Sequence, residues 1–444
     1  SCSLLRLVFI KLKALKAQGE FKMVILYKNA RLKGKKELTD ILVEDGVIKE
    51  IGNDLISNNL NNDKVTEIYD LEGNLVLPPY VDPHIHLDYV FTAKKEGALN
   101  DTGTLFEGIQ RWSETKSDLN IEEIKERARL GIKKEVLQGV QFIRTHADVT
   151  DPNLTSLKAL LELKEELKEF VTIQVVSFPQ EGMYAYKGGD ELVEEGLKMG
   201  ADCVGAIPHF ELAREFGEKS IHKTVELAVK YNKLIDVHCD ETDDDQSRFV
   251  ELLSALSYME GIGHLTTASH TCSFGSSNNA YAFKIMKDLK KSKLNFIACP
   301  TENIYLQGRQ DTYPKRRGLT RVKELNDAGI NVCFAQDSMS DPWYPLGNGN
   351  MMMILDHGIH IAQMMSFEEI DNALDLITTN GAITMNIQDM YGIEVNKPAN
   401  FIVLNAKSEF EAICERAEVL SSVRNGKFLF KKQPRVIDSY MNIV

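Results

Sequence analysis

Two patterns of apolar and polar positions divide this chain. From 23 to 80 the apolar runs are short and bounded by turn residues: 24–27, 42–43, 47–48, Ile51 and 75–77, punctuated by Asp45-Gly46, Gly52-Asn53 and Glu72-Gly73-Asn74. That predicts a small β element. From 81 to about 345, strand-like runs alternate with helical stretches roughly every 30–40 residues, the mark of βα units closing a parallel barrel. Eight strands are expected to end near His86, Asp148, Gln180, His209, His238, His270, Cys299 and Asp337. Helices are expected at 121–138, 156–170, 219–231 and 246–260, and a last one at 368–390, from Glu and Lys at helical spacing around apolar positions. The runs at 399–404 and 423–430 return to β character and complete the first element.

The expected fold is therefore α/β: a (β/α)8 TIM barrel over 81–390, with a small β-sandwich built from 23–80 and 391–435. Residues 1–22 are read as an added leader, because Met23 directly precedes a clear strand and the apolar stretch 4–10 is too short and too interrupted by Arg6, Lys11 and Lys13 for a signal peptide or a membrane span.

Composition narrows the partners. The 444 residues are 43% hydrophobic and 26% charged, with a formal net charge of −13. Such a chain repels phosphate backbones and anionic lipid, so a small neutral or cationic molecule is expected as substrate, with neither nucleic acid nor membrane as partner. The 7 cysteines are odd in number, scattered and form no C-x-x-C pair, which fits reduced thiols in a cytoplasmic protein.

The polar residues at the strand ends carry the chemistry. His84 and His86 lie two apart in a strand, so both imidazoles face one way and can share a cation. His238, His270 and Asp337 end other strands on the same face of the barrel, where such folds place their active groups. Neutral imidazoles with a carboxylate are the donor set of Zn2+ or Fe2+.

The chain resembles the amidohydrolase superfamily, and within it bacterial cytosine deaminases, over roughly 70–400. The likeness rests on Pro83-His-Ile-His-Leu-Asp88, Gly103-Thr-Leu-Phe-Glu-Gly108, Arg144-Thr-His146, Phe178-Pro-Gln-Glu-Gly182, Gly205-Ala-Ile-Pro-His-Phe210, Asp236-Val-His-Cys-Asp-Glu241, Ala268-Ser-His-Thr271, Leu306-Gln-Gly-Arg309 and Asp341-Pro-Trp-Tyr-Pro-Leu-Gly347. It implies that His84, His86, His238 and Asp337 ligate one divalent metal, iron or zinc, that His270 steadies the reacting group, and that Glu241 shuttles a proton to the ring nitrogen. By composition alone Glu241 would pass for one carboxylate in a solvated acidic run. The likeness also implies that Gln180 reads the pyrimidine edge, and that Leu105 and Trp343 give a backbone contact and an aromatic wall. Strand four ends without the lysine that bridges two metals in some relatives, so one metal is expected, and barrels of this kind are often homo-oligomers.

Departures concern the substrate, because the residues beside Asp337 are expected to line its pocket. Gln336-Asp337-Ser338 stands where cytosine deaminases usually have His-Asp-Asp, and Cys299-Pro300 where they have Asn-Pro. Hydrolysis of cytosine to uracil and ammonia is the leading expectation, with creatinine and isoguanine as alternative substrates and a non-catalytic binding barrel far behind. His146, His209, Cys239 and Cys272 are read as packing groups, and Lys315-Arg316-Arg317 as surface ion-pair partners.

Overall fold

The computed structural model describes residues 22–55 and 65–441, so the leader expected at 1–22 lies outside them up to residue 21. The chain forms two compact units, one of 80–388 and one that joins both chain ends up to Pro79 and from Asp389.

The first unit in sequence begins with β1 (Val24–Leu32), β2 (Thr39–Glu44), β3 (Val47–Gly52), β4 (Glu67–Asp70) and β5 (Leu75–Leu77). The barrel follows with β6 (Tyr80–Ile85), β7 (Val140–Asp148), β8 (Thr172–Phe178), β9 (Cys203–Ala206), β10 (Leu234–Cys239), β11 (Thr266–His270), β12 (Asn295–Ala298) and β13 (Val332–Phe334). The chain returns to the small unit with β14 (Phe401–Leu404), β15 (Val419–Arg424) and β16 (Lys427–Lys431).

In the small unit the strands run in the order β16-β15-β14-β5-β1-β2-β3, with β4 also on β1. One half of β1 serves β2 and β4; its far end, Arg31 and Leu32, serves β5. Ile41, Val43 and Ile48 from one wing share a core with Phe401, Val403 and Val423 from the other, so the sheet folds over its own apolar face.

Each barrel strand lies parallel to the next, from β6 to β13. Their runs are buried almost throughout, as expected for strands covered on both faces. The ring closes where Ile85 bridges Asp337: the Asp337 N–H donates to the His84 carbonyl at 2.8 Å, and the His86 N–H to the Asp337 carbonyl at 3.1 Å. Three metal-ligand candidates, His84, His86 and Asp337, thus sit on the seam itself.

The helices expected between strands are present at Ile121–Val136, Thr155–Glu166, Arg214–Tyr231 and Phe249–Met259. The single helix expected over 368–390 is instead broken into Phe367–Ala373, a tight turn at Leu374–Ile377, Thr379–Thr384 and a turn at Gln388–Met390. The break falls at Thr378, whose backbone (φ −131°, ψ −98°) is not helical. Arg144 explains why the second piece stays: fully buried in the barrel, it donates to the Thr384 carbonyl at 2.9 Å. No helix among the described residues is long and apolar enough to cross a membrane.

Candidate active site

His84 lies in β6 and His86 one residue past it, His238 in β10 and Glu241 two residues past it, His270 ends β11 and Asp337 follows β13, and all six are buried at the carboxyl ends of the strands. Asp337 Oδ1 lies 3.5 Å from His84 Nε2 and 3.4 Å from His86 Nε2. His86 Nε2 and His238 Nε2 approach to 3.0 Å. Asp337 Oδ2 faces His270 Nδ1 at 3.8 Å, and Glu241 Oε1 faces the same nitrogen at 3.4 Å. Asp337 and His270 hold left-handed backbone (φ 64° and 70°), which aspartate and histidine adopt more readily than most non-glycine residues.

The hydrogen bonds fix which nitrogens are free. Ser269 Oγ donates its one proton to Asp236 Oδ1 at 2.6 Å, so at 3.0 Å it accepts from His84 Nδ1–H. His84 Nε2 therefore carries the lone pair, and it is buried with no hydrogen-bond partner. Asp236 is itself held by Arg144 Nη1 at 3.0 Å, both fully buried. Burial pushes the His86, His238 and His270 imidazoles well below their usual range, with the neighbouring histidines adding to it, which keeps them neutral. Burial also pushes Asp337 up, followed by the charges of Asp341 and Asp82, and Glu241 up, followed by the charge of Asp337.

Neutral lone pairs converging on a buried carboxylate are the donor arrangement of a divalent cation, and an ion there offsets the cost of burying the charge. The residues fit a metal.

Asn303 was not legible in the sequence. Its Nδ2 donates to Glu241 Oε1 at 2.9 Å and its Oδ1 accepts from His270 Nδ1 at 3.2 Å, so one amide orients both. It lies on the short helix Pro300–Leu306, beyond the strand end that motif reading inspects. The acidic run around Glu241 is not solvated throughout: Asp240 is buried, accepting from Ser247 Oγ at 2.6 Å and from the Phe249 and Val250 N–H groups at 2.9 Å, which holds the start of the next helix.

The pocket residues fare unevenly. Gln180 is buried, with Tyr89 Oη 3.5 Å from its Oε1, and Tyr89 stacks on His86 at 4.7 Å and tilts against Trp343 at 4.4 Å. Leu105 and Trp343 share one apolar cluster, but the Leu105 carbonyl already accepts the Trp343 indole N–H at 3.1 Å. Gly108 is what seats that indole, since a Cβ there would stand 2.4 Å from it. The expectation that Gln336 lines the pocket is corrected: its Nε2 donates to the Ser338 carbonyl at 2.9 Å and its Oε1 accepts the Gly349 N–H at 3.0 Å, so the amide is spent on the loop. Ser338 is buried beside the carboxyls of Glu302 and Asp341, so this wall keeps acidic groups despite the serine; burial pushes Asp341 up to about 7 and Glu302 higher than usual.

Of the groups set aside, His146 packs between His84 (4.1 Å) and His86 (4.8 Å) with its Nε2 3.6 Å from Asp236. Arg316 pairs with Asp311 at 2.7 Å. The described cysteines are all free.

The amidohydrolase family model matches residues 67–430. Solved structures of 5-methylcytosine deaminase from Klebsiella pneumoniae, one liganded with 5-fluorocytosine and one with phosphonocytosine, share 46% identity at a TM-score of 0.89, covering 93% of this chain and 99–100% of theirs. N-isopropylammelide isopropyl amidohydrolase of Pseudomonas sp. (strain ADP) is 30% identical over 415 residues, 92% of this chain and 98% of that protein.

Proposed function

Because the chain belongs to the amidohydrolase family, hydrolases acting on C–N bonds, we propose that it hydrolytically deaminates a cytosine ring substituted at C5, 5-methylcytosine ahead of cytosine. The observation that carries this reading is the full-length likeness, at 46% identity, to a 5-methylcytosine deaminase. Ser338 supports it: a hydroxyl occupies less volume than the aspartate usual in cytosine deaminases and leaves room for a ring substituent.

His84, His86, His238 and Asp337 would hold one divalent cation, iron or zinc, which when bound makes water acidic enough to attack near neutral pH. Asp337 takes the proton of the attacking water. Glu241, kept protonated by burial and by the Asp337 charge, gives its proton to the ring nitrogen beside the attacked carbon and is reset by the proton Asp337 received. His270, its Nδ1–H engaged by Asn303, presents Nε2 to accept a hydrogen bond from the hydroxyl joined to that carbon. The hydroxyl gives up its proton to the exocyclic nitrogen as the ring carbonyl forms, and that nitrogen leaves as ammonia. Gln180 offers donor and acceptor to the carbonyl and nitrogen edge of the ring, while Tyr89 and Trp343 wall its face.

An ammonia-release screen of 5-methylcytosine, cytosine, creatinine and isoguanine tests the reading. The highest kcat/KM is expected for 5-methylcytosine; no release from either pyrimidine overturns it.

A further inference from the structure

Ser338 stands between two buried acids, and each keeps one oxygen unpaired. Glu302 and Asp341 are both 2% exposed, and both lie within hydrogen-bonding reach of the Ser338 hydroxyl. That hydroxyl has one proton to give, so it satisfies at most one of them. Asp341 Oδ1 accepts from the Trp343 and Tyr344 N–H groups at 3.0 and 3.1 Å, whereas Asp341 Oδ2 and Glu302 Oε2 are buried without a hydrogen-bond partner. Glu302 is on the pocket side of its short helix: Leu306, one turn further along the same face, packs in the cluster that holds Tyr89 and Trp343, and the adjacent Asn303 reaches Glu241 and His270. The Tyr89 phenol feels both acids, since burial pushes it well above its usual range and the charges of Asp341, Asp88, Asp337 and Glu302 add to that.

We propose that Glu302 and Asp341, with Ser338 between them, form a polar subsite for a hydroxyl carried on C5 of the ring, so that 5-hydroxymethylcytosine is hydrolysed ahead of an apolar analogue of the same size. The inference rests on the reading of the substrate as a C5-substituted cytosine, in which Ser338 makes room for the substituent. An apolar group placed there leaves two buried oxygens unpaired, which costs free energy that a hydroxyl recovers. A hydroxyl both donates and accepts, so it pairs with a carboxyl whether that carboxyl is ionised or protonated. The chemistry at the ring is unchanged: water adds at the carbon that bears the amine, ammonia leaves, and 5-hydroxymethyluracil forms with the C–O bond of the substituent intact.

The test measures kcat/KM for ammonia release from 5-hydroxymethylcytosine, 5-ethylcytosine and 5-methylcytosine with the metal-loaded full chain. Hydroxymethyl and ethyl have the same shape and differ only in the hydroxyl, so their ratio reads the hydrogen bond and cancels size. In the wild-type protein that ratio is expected to be at least about tenfold, because a site with buried polar groups rejects the analogue that leaves them unpaired. Glu302→Leu keeps the bulk and removes the acceptor, and should lower the ratio at least about tenfold; a ratio of two substrates on one protein is insensitive to general damage. A wild-type ratio under about threefold overturns the proposal, as does a ratio that Glu302→Leu leaves unmoved. If the leucine variant does not fold, Glu302→Met takes its place, and the wild-type ratio still decides by itself. Release from 5-methylcytosine without release from 5-hydroxymethylcytosine overturns this inference alone, whereas no release from any of the three overturns the deaminase reading with it.

Discussion

Glu241→Gln separates proton transfer from shape. Glu241 Oε1 accepts from Asn303 Nδ2 at 2.9 Å, and the amide oxygen of glutamine can take the same bond. The flipped orientation sets two NH2 groups against each other in a buried site, at a cost of about 1–3 kcal/mol, so the oxygen is held toward Asn303. Burial, then the Asp337 charge, pushes the Glu241 carboxyl up, and glutamine keeps the shape of the protonated acid, so packing changes little. What is lost is the mobile proton. A positioned general acid contributes about 10²–10⁴ in rate, or ~2.7–5.4 kcal/mol of barrier. The assay is kcat for ammonia release from 5-methylcytosine, read with metal content per chain and Tm. Metal content and Tm should hold while kcat falls into that range. A kcat within about threefold of wild type, with metal retained, would refute the assignment and return Glu241 to one buried carboxylate among several.

Asn303→Leu removes both bonds that set Glu241 and His270; about 1–3 kcal/mol of misplacement should lower kcat by roughly 10–100-fold, less than Glu241→Gln, with the order of the two effects as the check. Removing the metal with a chelator should abolish turnover and leave far-ultraviolet circular dichroism nearly unchanged, and re-addition of one equivalent per chain should restore activity; a requirement for two would count against a single working ion. Ser338→Asp should move the kcat/KM ratio toward unsubstituted cytosine over 5-methylcytosine by about 1–3 kcal/mol, whereas Gln336→His, acting on a side chain tied to backbone, should lower Tm and leave the ratio alone. Burial, then His84, holds His146 down to about 4 from an unfolded value of 6.5. Below 6.5 the unfolded chain therefore binds a proton the native one refuses, and stability should fall as pH drops from 6.5 to 4, by up to about 1.4 kcal/mol per pH unit for this group; melting curves from pH 7 to 5 check the sign.

The sequence by itself determined what depends on local periodicity. Alternation in strands put His84 and His86 on one face, and the spacing of βα units located the strand ends: β7 and β11 finish at Asp148 and His270 as expected, and β6, β10 and β12 finish within a residue of His86, His238 and Cys299. His209 falls three residues past β9, in the tight turn Pro208–Phe210, and Asp337 three past β13, where it rejoins the sheet through its own bridge to Ile85. The tertiary structure decided what depends on contacts between distant segments. Asn303 matters only because Glu241 and His270, 62 and 33 residues away, meet its amide. Gln336 looked like a pocket residue until the loop to Gly349 was seen to use its amide. The helix expected over 368–390 breaks at Thr378, and its Thr379–Thr384 piece is held by Arg144 from β7. A run of residues specifies its own hydrogen-bond period, but the partner of a buried polar group is chosen by the barrel's register, and no local pattern encodes that.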